Sequence, residues 1–167
     1  MSKTYIGIDP GNKGFISVQK DSKFEFISIA EHDLYELSDE LSRIFNESDG
    51  GIACVMEDVH AIFGSSAKST FEFGFNKGYL IGLLCANKIP YTLIAPKEWQ
   101  KCIWTDSDKV YKHTGDKKVV DTKNTSINAC KRLFPTIDRK RNSKCKNDDD
   151  NKVDSILMSE YARRNNL

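Results

Sequence analysis

Four acidic side chains in this 167-residue chain are placed where they could do chemistry together. Asp9 and Glu57 each follow an apolar run, and Asp150 and Asp154 stand four residues apart near the carboxyl terminus. Carboxylate oxygens suit Mg²⁺ or Mn²⁺, and no cysteine or histidine joins them at metal-ligand spacing. Two such ions about 4 Å apart could activate a water and stabilise the leaving oxygen of a phosphodiester displacement.

The elements around Asp9 and Glu57 predict that these two acids meet. Residues 4–8 are predicted to form a strand, a turn with Pro10, Gly11 and Gly14 follows, and strands are expected at 15–18 and 23–29. A helix over 34–46 allows the apolar strand 52–56 to return parallel to the first. The alternative is that Asp9 only accepts hydrogen bonds from the turn amides.

The other acid pair lies on a predicted last helix, from about 149 to 164. A spacing of four residues puts Asp150 and Asp154 on one face. Their repulsion costs an isolated helix about 0.2 to 0.5 kcal/mol, and a bound cation would reverse its sign. The helix dipole alone would explain acids at 148–150. It does not explain Asp154, whose neighbours are apolar.

Further elements complete an alternating α/β order. A helix is predicted over 65–87, with Gly74, Gly78 and Gly82 on one face, where we expect close packing, at least in part against the sheet. The same helix of a second copy is the alternative partner. A fifth strand at 90–94, a short helix from Pro96 and a helix over 123–134 follow. The polar segment 104–121 is predicted to be a mobile basic loop.

Composition limits the class of protein. With 39% hydrophobic and 29% charged residues, the chain is expected to form one soluble domain over 1–167. Five widely spaced cysteines suggest a reducing cytoplasm, and neither an export signal nor a membrane span is recognisable. Residues 101–146 carry 13 Lys and Arg against 5 Asp and Glu. This basic segment favours a polyanionic partner, the alternative being a solvated lysine-rich loop.

Taken in order, these motifs resemble the RuvC family of Holliday junction resolvases, within the RNase H-like nucleases. The resemblance rests on Ile8-Asp9-Pro10-Gly11, on Glu57 at a strand end, on Lys123 opening a Lys-x-x-Ser-Ile helix, and on Asp150-x-x-x-Asp154-Ser-Ile-Leu. It implies an α/β, RNase H-like fold with a central five-stranded mixed sheet flanked by helices. The four-residue acid spacing is closest to bacteriophage members, and either Asp149 or Asp150 could be the first acid of that pair.

The resemblance also implies an activity. The chain would be a homodimer with two Mg²⁺ or Mn²⁺ ions per active site that cuts opposing strands of a four-way DNA junction in the cytoplasm of a bacterium or a virus-infected cell. Asp9, Glu57, Lys123, Asp150 and Asp154 would be catalytic, the four acids as metal ligands. His60 and Phe63 would meet junction bases. Phosphate contacts are expected from Lys109, Lys112, Lys117, Lys118, Arg139, Lys140, Arg141 and Lys144.

Other interpretations stay open at this point. A broader flap or branched-DNA endonuclease, an RNase H acting on RNA–DNA hybrids, and a non-catalytic junction-binding protein would all use the same basic surface. Actin-like ATPases and sugar kinases also place an Asp-x-Gly turn after a first strand. They need a second lobe with another phosphate loop, and 167 residues leave no room for one. No nucleotide cofactor is therefore expected.

Overall fold

A five-stranded mixed sheet forms the centre of the computed structural model, which describes residues 2–58 and 66–167. The strand order is β3-β2-β1-β4-β5. The first three strands are antiparallel neighbours, whereas β4 and β5 run parallel to β1. This confirms the predicted sheet. Its strands are β1 (Thr4–Ile8), β2 (Phe15–Lys20), β3 (Lys23–Ser28), β4 (Ile52–Glu57) and β5 (Tyr91–Ile94).

Helices cover both faces of the sheet. One face packs against α1 and α2, and the other against α3, α4 and α5. No helix in the described part of the chain is long and apolar enough to cross a membrane. The helices are α1 (Leu34–Asn46), α2 (Ala67–Ala86), α3 (Pro96–Ile103), α4 (Thr122–Leu133) and α5 (Asp150–Arg164).

The two-residue period of the central strands decides which face receives the acids. Ile6 and Ile8 of β1 point into the core under α1 and α2. Because side chains alternate along a strand, Gly7 and Asp9 face α5. In β4, Val55 packs in the core on the α5 side, and Glu57 shares its parity. Asp9 follows Ile8, which pairs with Met56 in the parallel register. Both acids therefore leave the sheet on the α5 side.

Gly7 lets α5 lie directly on β1. A Cβ at this position would collide with the backbone of Ser155 and Ser159, so only glycine permits the approach. The hydroxyl oxygens of Ser17 and Ser155 lie 2.6 Å apart across the same contact. Asp154 precedes Ser155, so this packing fixes the position of Asp154 relative to the carboxyl end of β1.

The prediction of an irregular loop over 104–121 was wrong. A 3₁₀ turn at Asp106–Asp108 is followed by an antiparallel hairpin of β6 (Tyr111–Thr114) and β7 (Lys117–Val120). The buried Asp108 accepts hydrogen bonds from Arg132, which tie the base of the hairpin to α4. Since nearly every side chain of the hairpin is exposed, no alternation of apolar and polar residues marks its strands.

The glycine stripe of α2 does not pack against the sheet, so that prediction was also wrong. A Cβ built at Gly74, Gly78 or Gly82 would meet no described atom within 4 Å. The sheet instead packs against another face of the helix, through Leu80 and Leu84. The stripe is an open surface of the described chain.

Candidate active site

Asp9 is the central residue of the acid cluster, by which we mean Asp9, Glu57, Asp150 and Asp154. Its Oδ1 accepts a 3.0 Å hydrogen bond from the Gly11 amide, as an Asx turn would require. Burial raises the pKa of Asp9 to about 7, and repulsion from Glu57 and Asp150 adds to that rise. The hydrogen bond from Gly11 opposes the rise without cancelling it. The Asx-turn contact is therefore present, and other acids act on Asp9 as well.

Glu57 is oriented by a tryptophan of α3. The indole Nε1 of the fully buried Trp99 donates a 2.9 Å hydrogen bond to Glu57 Oε1. Burial raises the pKa of Glu57, and this hydrogen bond offsets part of the rise. One carboxylate oxygen is thus held by the protein. The other is not engaged by any hydrogen bond within the described residues.

Asp154 brings the acid of α5 to the sheet. Its Oδ1 is inaccessible to solvent and has no hydrogen-bond partner in the described chain. Burial raises the pKa of this carboxyl well above its ordinary value, Ser126 lowers it in part, and the charges of Asp9 and Glu57 raise it further. A buried carboxylate oxygen without a partner is unfavourable. It would be relieved by a proton or a cation.

Asp150 and Asp149 differ in how they are engaged. Asp149 caps α5 by accepting hydrogen bonds from the backbone amides of Asn151 and Lys152, and its Oδ2 accepts one from Arg141. Asp150 instead forms a 2.6 Å ion pair with Lys123, and its charge acts on both Asp9 and Asp154. The arrangement favours Asp150 as the first acid of the α5 pair.

The chemistry of the acid cluster fits divalent cations. All its potential ligand atoms are carboxylate oxygens, and the buried Oδ1 of Asp154 is left without a partner. Within residues 2–58 and 66–167, however, no group of three or more Asp, Glu, His or Cys side chains is placed so that it could hold a metal ion. The four acids come from three elements and repel one another, but they do not form a closed cage.

Lysines predicted to contact DNA lie on and beside the β6–β7 hairpin. Lys109 pairs with Asp106 at 2.7 Å, and Lys112 stands 3.8 Å from Asp121. Lys118 lies over the ring of Tyr111, and the fourth member of this set, Lys117, is exposed at the start of β7. These side chains share one exposed element, but DNA contact stays a prediction for each.

The second predicted basic set divides into engaged and free side chains. Arg139 donates to the carbonyl oxygen of Ile137, and Arg141 is held by Asp149. The main-chain carbonyl of Lys140 accepts a hydrogen bond from Lys152, whereas Lys144 is exposed. The guanidinium groups of both arginines therefore have partners within the protein.

The predicted base-contacting residues His60 and Phe63 lie outside the described residues. The structure adds one side chain that the sequence did not single out, Trp99 at Glu57, and it gives Ser126 of the Lys-x-x-Ser-Ile motif a hydrogen bond to Asp154. An apolar i, i+4 pair, Trp99 and Ile103, marks the buried face of α3. No sequence signal, however, points from that face to Glu57.

The sheet order β3-β2-β1-β4-β5, with a helix crossing β1 and acids at the strand ends, defines the RNase H-like class of α/β folds. Two solved structures of RuvC share it. One is Thermus thermophilus RuvC in complex with a Holliday junction substrate, with 10% identity, a TM-score of 0.57, and coverage of 98% of this chain and 95% of that one. The other is Thermus thermophilus RuvC alone, with 11% identity, a TM-score of 0.52, and coverage of 99% and 97%.

At this identity the similarity establishes the fold. The chain has the α/β architecture of RuvC, a mixed five-stranded sheet flanked by helices, over nearly its whole length. No protein-family profile and no curated protein sequence matches it.

Proposed function

We propose that this protein is a metal-dependent endodeoxyribonuclease that resolves four-way DNA junctions by paired phosphodiester hydrolysis. The observation that carries the proposal is the convergence of Asp9, Glu57, Asp150 and Asp154 from β1, β4 and α5, with one buried oxygen that has no partner within residues 2–58 and 66–167. The fold is that of a protein whose structure with a Holliday junction substrate is known, which supports this choice of substrate.

The acid cluster would hold two Mg²⁺ or Mn²⁺ ions through its four carboxylates. When bound, the ions would supply a nucleophilic water at neutral pH and stabilise the leaving oxygen. Burial raises the pKa values of Asp9 and Asp154 and mutual repulsion adds to the rise, and bound cations would oppose both effects. The ionised forms needed for catalysis would then be stable at neutral pH.

Other side chains of the site bind and orient. Trp99 fixes the rotamer of Glu57 through its indole hydrogen bond. Lys123, exposed at the start of α4 and 2.6 Å from Asp150, can exchange this carboxylate for a phosphate oxygen of the substrate. Its ammonium group would hold the scissile phosphate beside the acids.

The test compares four substrates of matched sequence in Mg²⁺: a four-way junction, a flap, an RNA–DNA hybrid and a linear duplex. We expect paired nicks in the junction that leave 5′-phosphate and 3′-hydroxyl ends, and none with Asp9→Asn. Equal cutting of the linear duplex would contradict the assignment as a resolvase. Preference for the hybrid would make the protein an RNase H, and preference for the flap a broader branched-DNA endonuclease.

A junction-binding protein without catalysis is the candidate from a different class. It would bind four-way junctions with the same basic surface but cut none of the four substrates in Mg²⁺ or Mn²⁺. Asp9→Asn distinguishes the cases, because a nuclease variant loses cutting while it keeps junction binding. The unpartnered Oδ1 of Asp154 favours the nuclease, since a pure binder has no use for it.

The proposal includes a homodimer formed through α2. Phe71 and Phe75 are 74% and 57% exposed, and they share one helical face with the open glycine positions Gly74 and Gly78. Exposed aromatics beside small residues suit close packing of two helices across a two-fold axis. A bacteriophage origin and a cytoplasmic location stay predictions.

Light scattering tests the dimer. We expect the wild-type mass to be that of two chains and Phe75→Ser to shift it toward one. Tyr35→Ser, which removes an exposed aromatic from α1, should leave the dimer intact. A monomeric wild type, or a dimer indifferent to Phe75→Ser, would remove this part of the proposal.

A further inference from the structure

A polar groove of about 570 Å³ leads away from the acid cluster along α4. We call it the α4 groove. Its walls are the β6 strand, the outer face of α4 and the segment 146–150. Asp150 and Lys123 form the end nearest the acid cluster. Lys131 and Lys146 lie farther along it.

The groove has the length and form of a path for a polymer. Lys123, Ile127 and Lys131 recur every four residues and so form one row on α4. Eight residues of helix span about 12 Å, whereas the charges of one DNA strand repeat every ~3.4 Å along the duplex axis, so more than one phosphate can lie beside this row.

A phosphate could replace the carboxylates that now pair with the lysines of the groove. Lys131 stands 3.3 Å from Asp148, and Lys112 stands 3.8 Å from Asp121. The lysine side chains are 51% and 53% exposed and the carboxylates 20% and 15%. Because ion pairs of exposed side chains contribute only about 0 to 1 kcal/mol, these lysines can turn toward a phosphate. Lys146 is exposed and has no carboxylate partner among residues 2–58 and 66–167. The groove therefore offers cations close to the acids at low cost.

By contrast, the neighbouring arginines are already used. Arg139 and Arg141 are bound to main-chain oxygens and to acids of the protein, and their side chains are only 15% and 17% exposed. Within the described residues, Lys123, Lys131 and Lys146 of the α4 groove are therefore accessible cations on the side of α4.

We propose that the α4 groove binds the sugar–phosphate backbone of the strand being cut, on one side of the scissile phosphate, with Lys131 and Lys146 as phosphate contacts. This inference rests on the proposed nuclease function and assigns one part of its DNA path. Asn124 and Asn147 also line the groove and provide neutral amide donors for the same backbone.

The experiment measures binding apart from cutting. Four-way junction affinity is determined over a range of salt concentrations in the Asp9→Asn background without divalent metal. Removing one lysine that binds a phosphate lowers the slope of log K against log[salt] by about 0.7 to 0.9. The double variant Lys131→Gln/Lys146→Gln removes two such lysines, so we expect it to lower the slope of log K against log[salt] by about 1.4 to 1.8.

Two controls accompany it. Lys23→Gln/Lys101→Gln removes two exposed lysines, on β3 and α3, that do not line the groove, and it should leave both slope and affinity unchanged. Lys131→Arg/Lys146→Arg keeps the charges and should retain the wild-type slope, which separates removal of charge from misfolding.

Ethylation of junction phosphates should interfere with wild-type binding at positions beside the scissile phosphate. That interference should disappear in the Gln variant.

The outcomes separate the two proposals. An unchanged slope for Lys131→Gln/Lys146→Gln, together with normal junction cutting by the wild type, overturns the α4 groove and leaves the nuclease assignment intact. A wild type that neither binds nor cuts branched DNA overturns both. A reduced slope with the predicted interference pattern supports the groove.

Discussion

Trp99 Nε1 donates a 2.9 Å hydrogen bond to Glu57 Oε1, from a side chain with no exposed surface. A core aromatic thus fixes the rotamer of an acid in the candidate active site. We predict that Trp99→Phe, which keeps most of the packing, lowers kcat by about 10- to 100-fold, since a hydrogen bond to a charged group contributes about 1.5 to 3 kcal/mol. Steady-state kinetics on a four-way junction would measure this.

Trp104 provides the matched control. Its ring packs edge-on against Trp99, but its buried Nε1 has no hydrogen-bond partner in the described chain. Trp104→Phe therefore removes a donor that holds nothing, and kcat should stay near the wild-type value. Equal loss of kcat in the two variants would mean that packing of the aromatic pair, rather than orientation of Glu57, governs activity.

The pKa of Asp9 predicts how stability depends on pH without metal. Burial raises this pKa from 3.8 to about 7, so folding disfavours the ionised form. The stability that Asp9 contributes is fully present below pH 4 and is lost as pH rises through 7. The rise in pKa sets an upper limit of ~4 kcal/mol on the free energy of unfolding that is lost in this way. For a partly exposed carboxyl we expect a loss of about 1 to 3 kcal/mol.

Asp9→Asn should therefore be more stable than the wild type at pH 8 and about equal to it at pH 4. Urea unfolding in the presence of a chelator gives the two free energies of unfolding. Asp39→Asn, on the exposed surface of α1, is the control and should show no such difference. A wild type more stable than Asp9→Asn at pH 8 without metal would contradict the assigned environment of this carboxyl.

Adding Mg²⁺ should make the wild type more stable than Asp9→Asn at pH 8. A cation bound to the ionised acids stabilises the folded state by about 2.7 kcal/mol at one hundred times its dissociation constant. We predict that saturating Mg²⁺ raises the Tm of the wild type and leaves that of Asp154→Asn nearly unchanged. Thermal unfolding followed by circular dichroism measures this independently of DNA cutting. The same rise in Tm for both proteins would show that the ion binds elsewhere.

Gly7 predicts a packing effect on the site. Ala at this position would force α5 away from β1, because its Cβ would overlap the backbone of Ser155. We expect Gly7→Ala to lower the free energy of unfolding by about 3 kcal/mol and to abolish the Mg²⁺-dependent rise in Tm. Gly82→Ala, where a Cβ meets no described atom, serves as the control and should not destabilise. Tolerance of Gly7→Ala would show that α5 can shift without loss.

The sequence predicted the central sheet and the convergence of acids because both depend on local signals. The turn after Asp9, the alternation in β1 and the four-residue spacing of Asp150 and Asp154 each specify a direction, and the parallel return of β4 joins them. The buried oxygen of Asp154 follows from the same packing. What was predicted well is what strand parity and helix periodicity determine.

The failures have two physical causes: the sequence does not identify the packing partner of a helix face, and an exposed hairpin shows no apolar period. Gly74 on α2 is typical of a close-packing position, yet nothing in the sequence says whether the sheet or another copy approaches it. The β6–β7 hairpin is exposed on both faces, so its strands lack an apolar period. The phosphate contact of Arg141 stays a prediction, but a charge in a basic run does not reveal that an acid of the same chain binds it.

Arg141 joins the start of α5 to the turn after Asp9. Its guanidinium donates a 2.8 Å hydrogen bond to Asp149 Oδ2, donates also to the carbonyl oxygen of Lys13, and lies 4.6 Å over the ring of Phe15. We predict that Arg141→Gln lowers the free energy of unfolding by about 2 to 3 kcal/mol, since it leaves Asp149 without its charged partner. It should leave the salt slope of junction binding unchanged.

Lys144→Gln, from the same segment but exposed, should do the opposite, with wild-type stability and a slope reduced by about 0.7 to 0.9. Urea unfolding and salt-dependent binding of the two variants decide between an internal clamp and a phosphate contact for Arg141, because only a phosphate contact would reduce the slope.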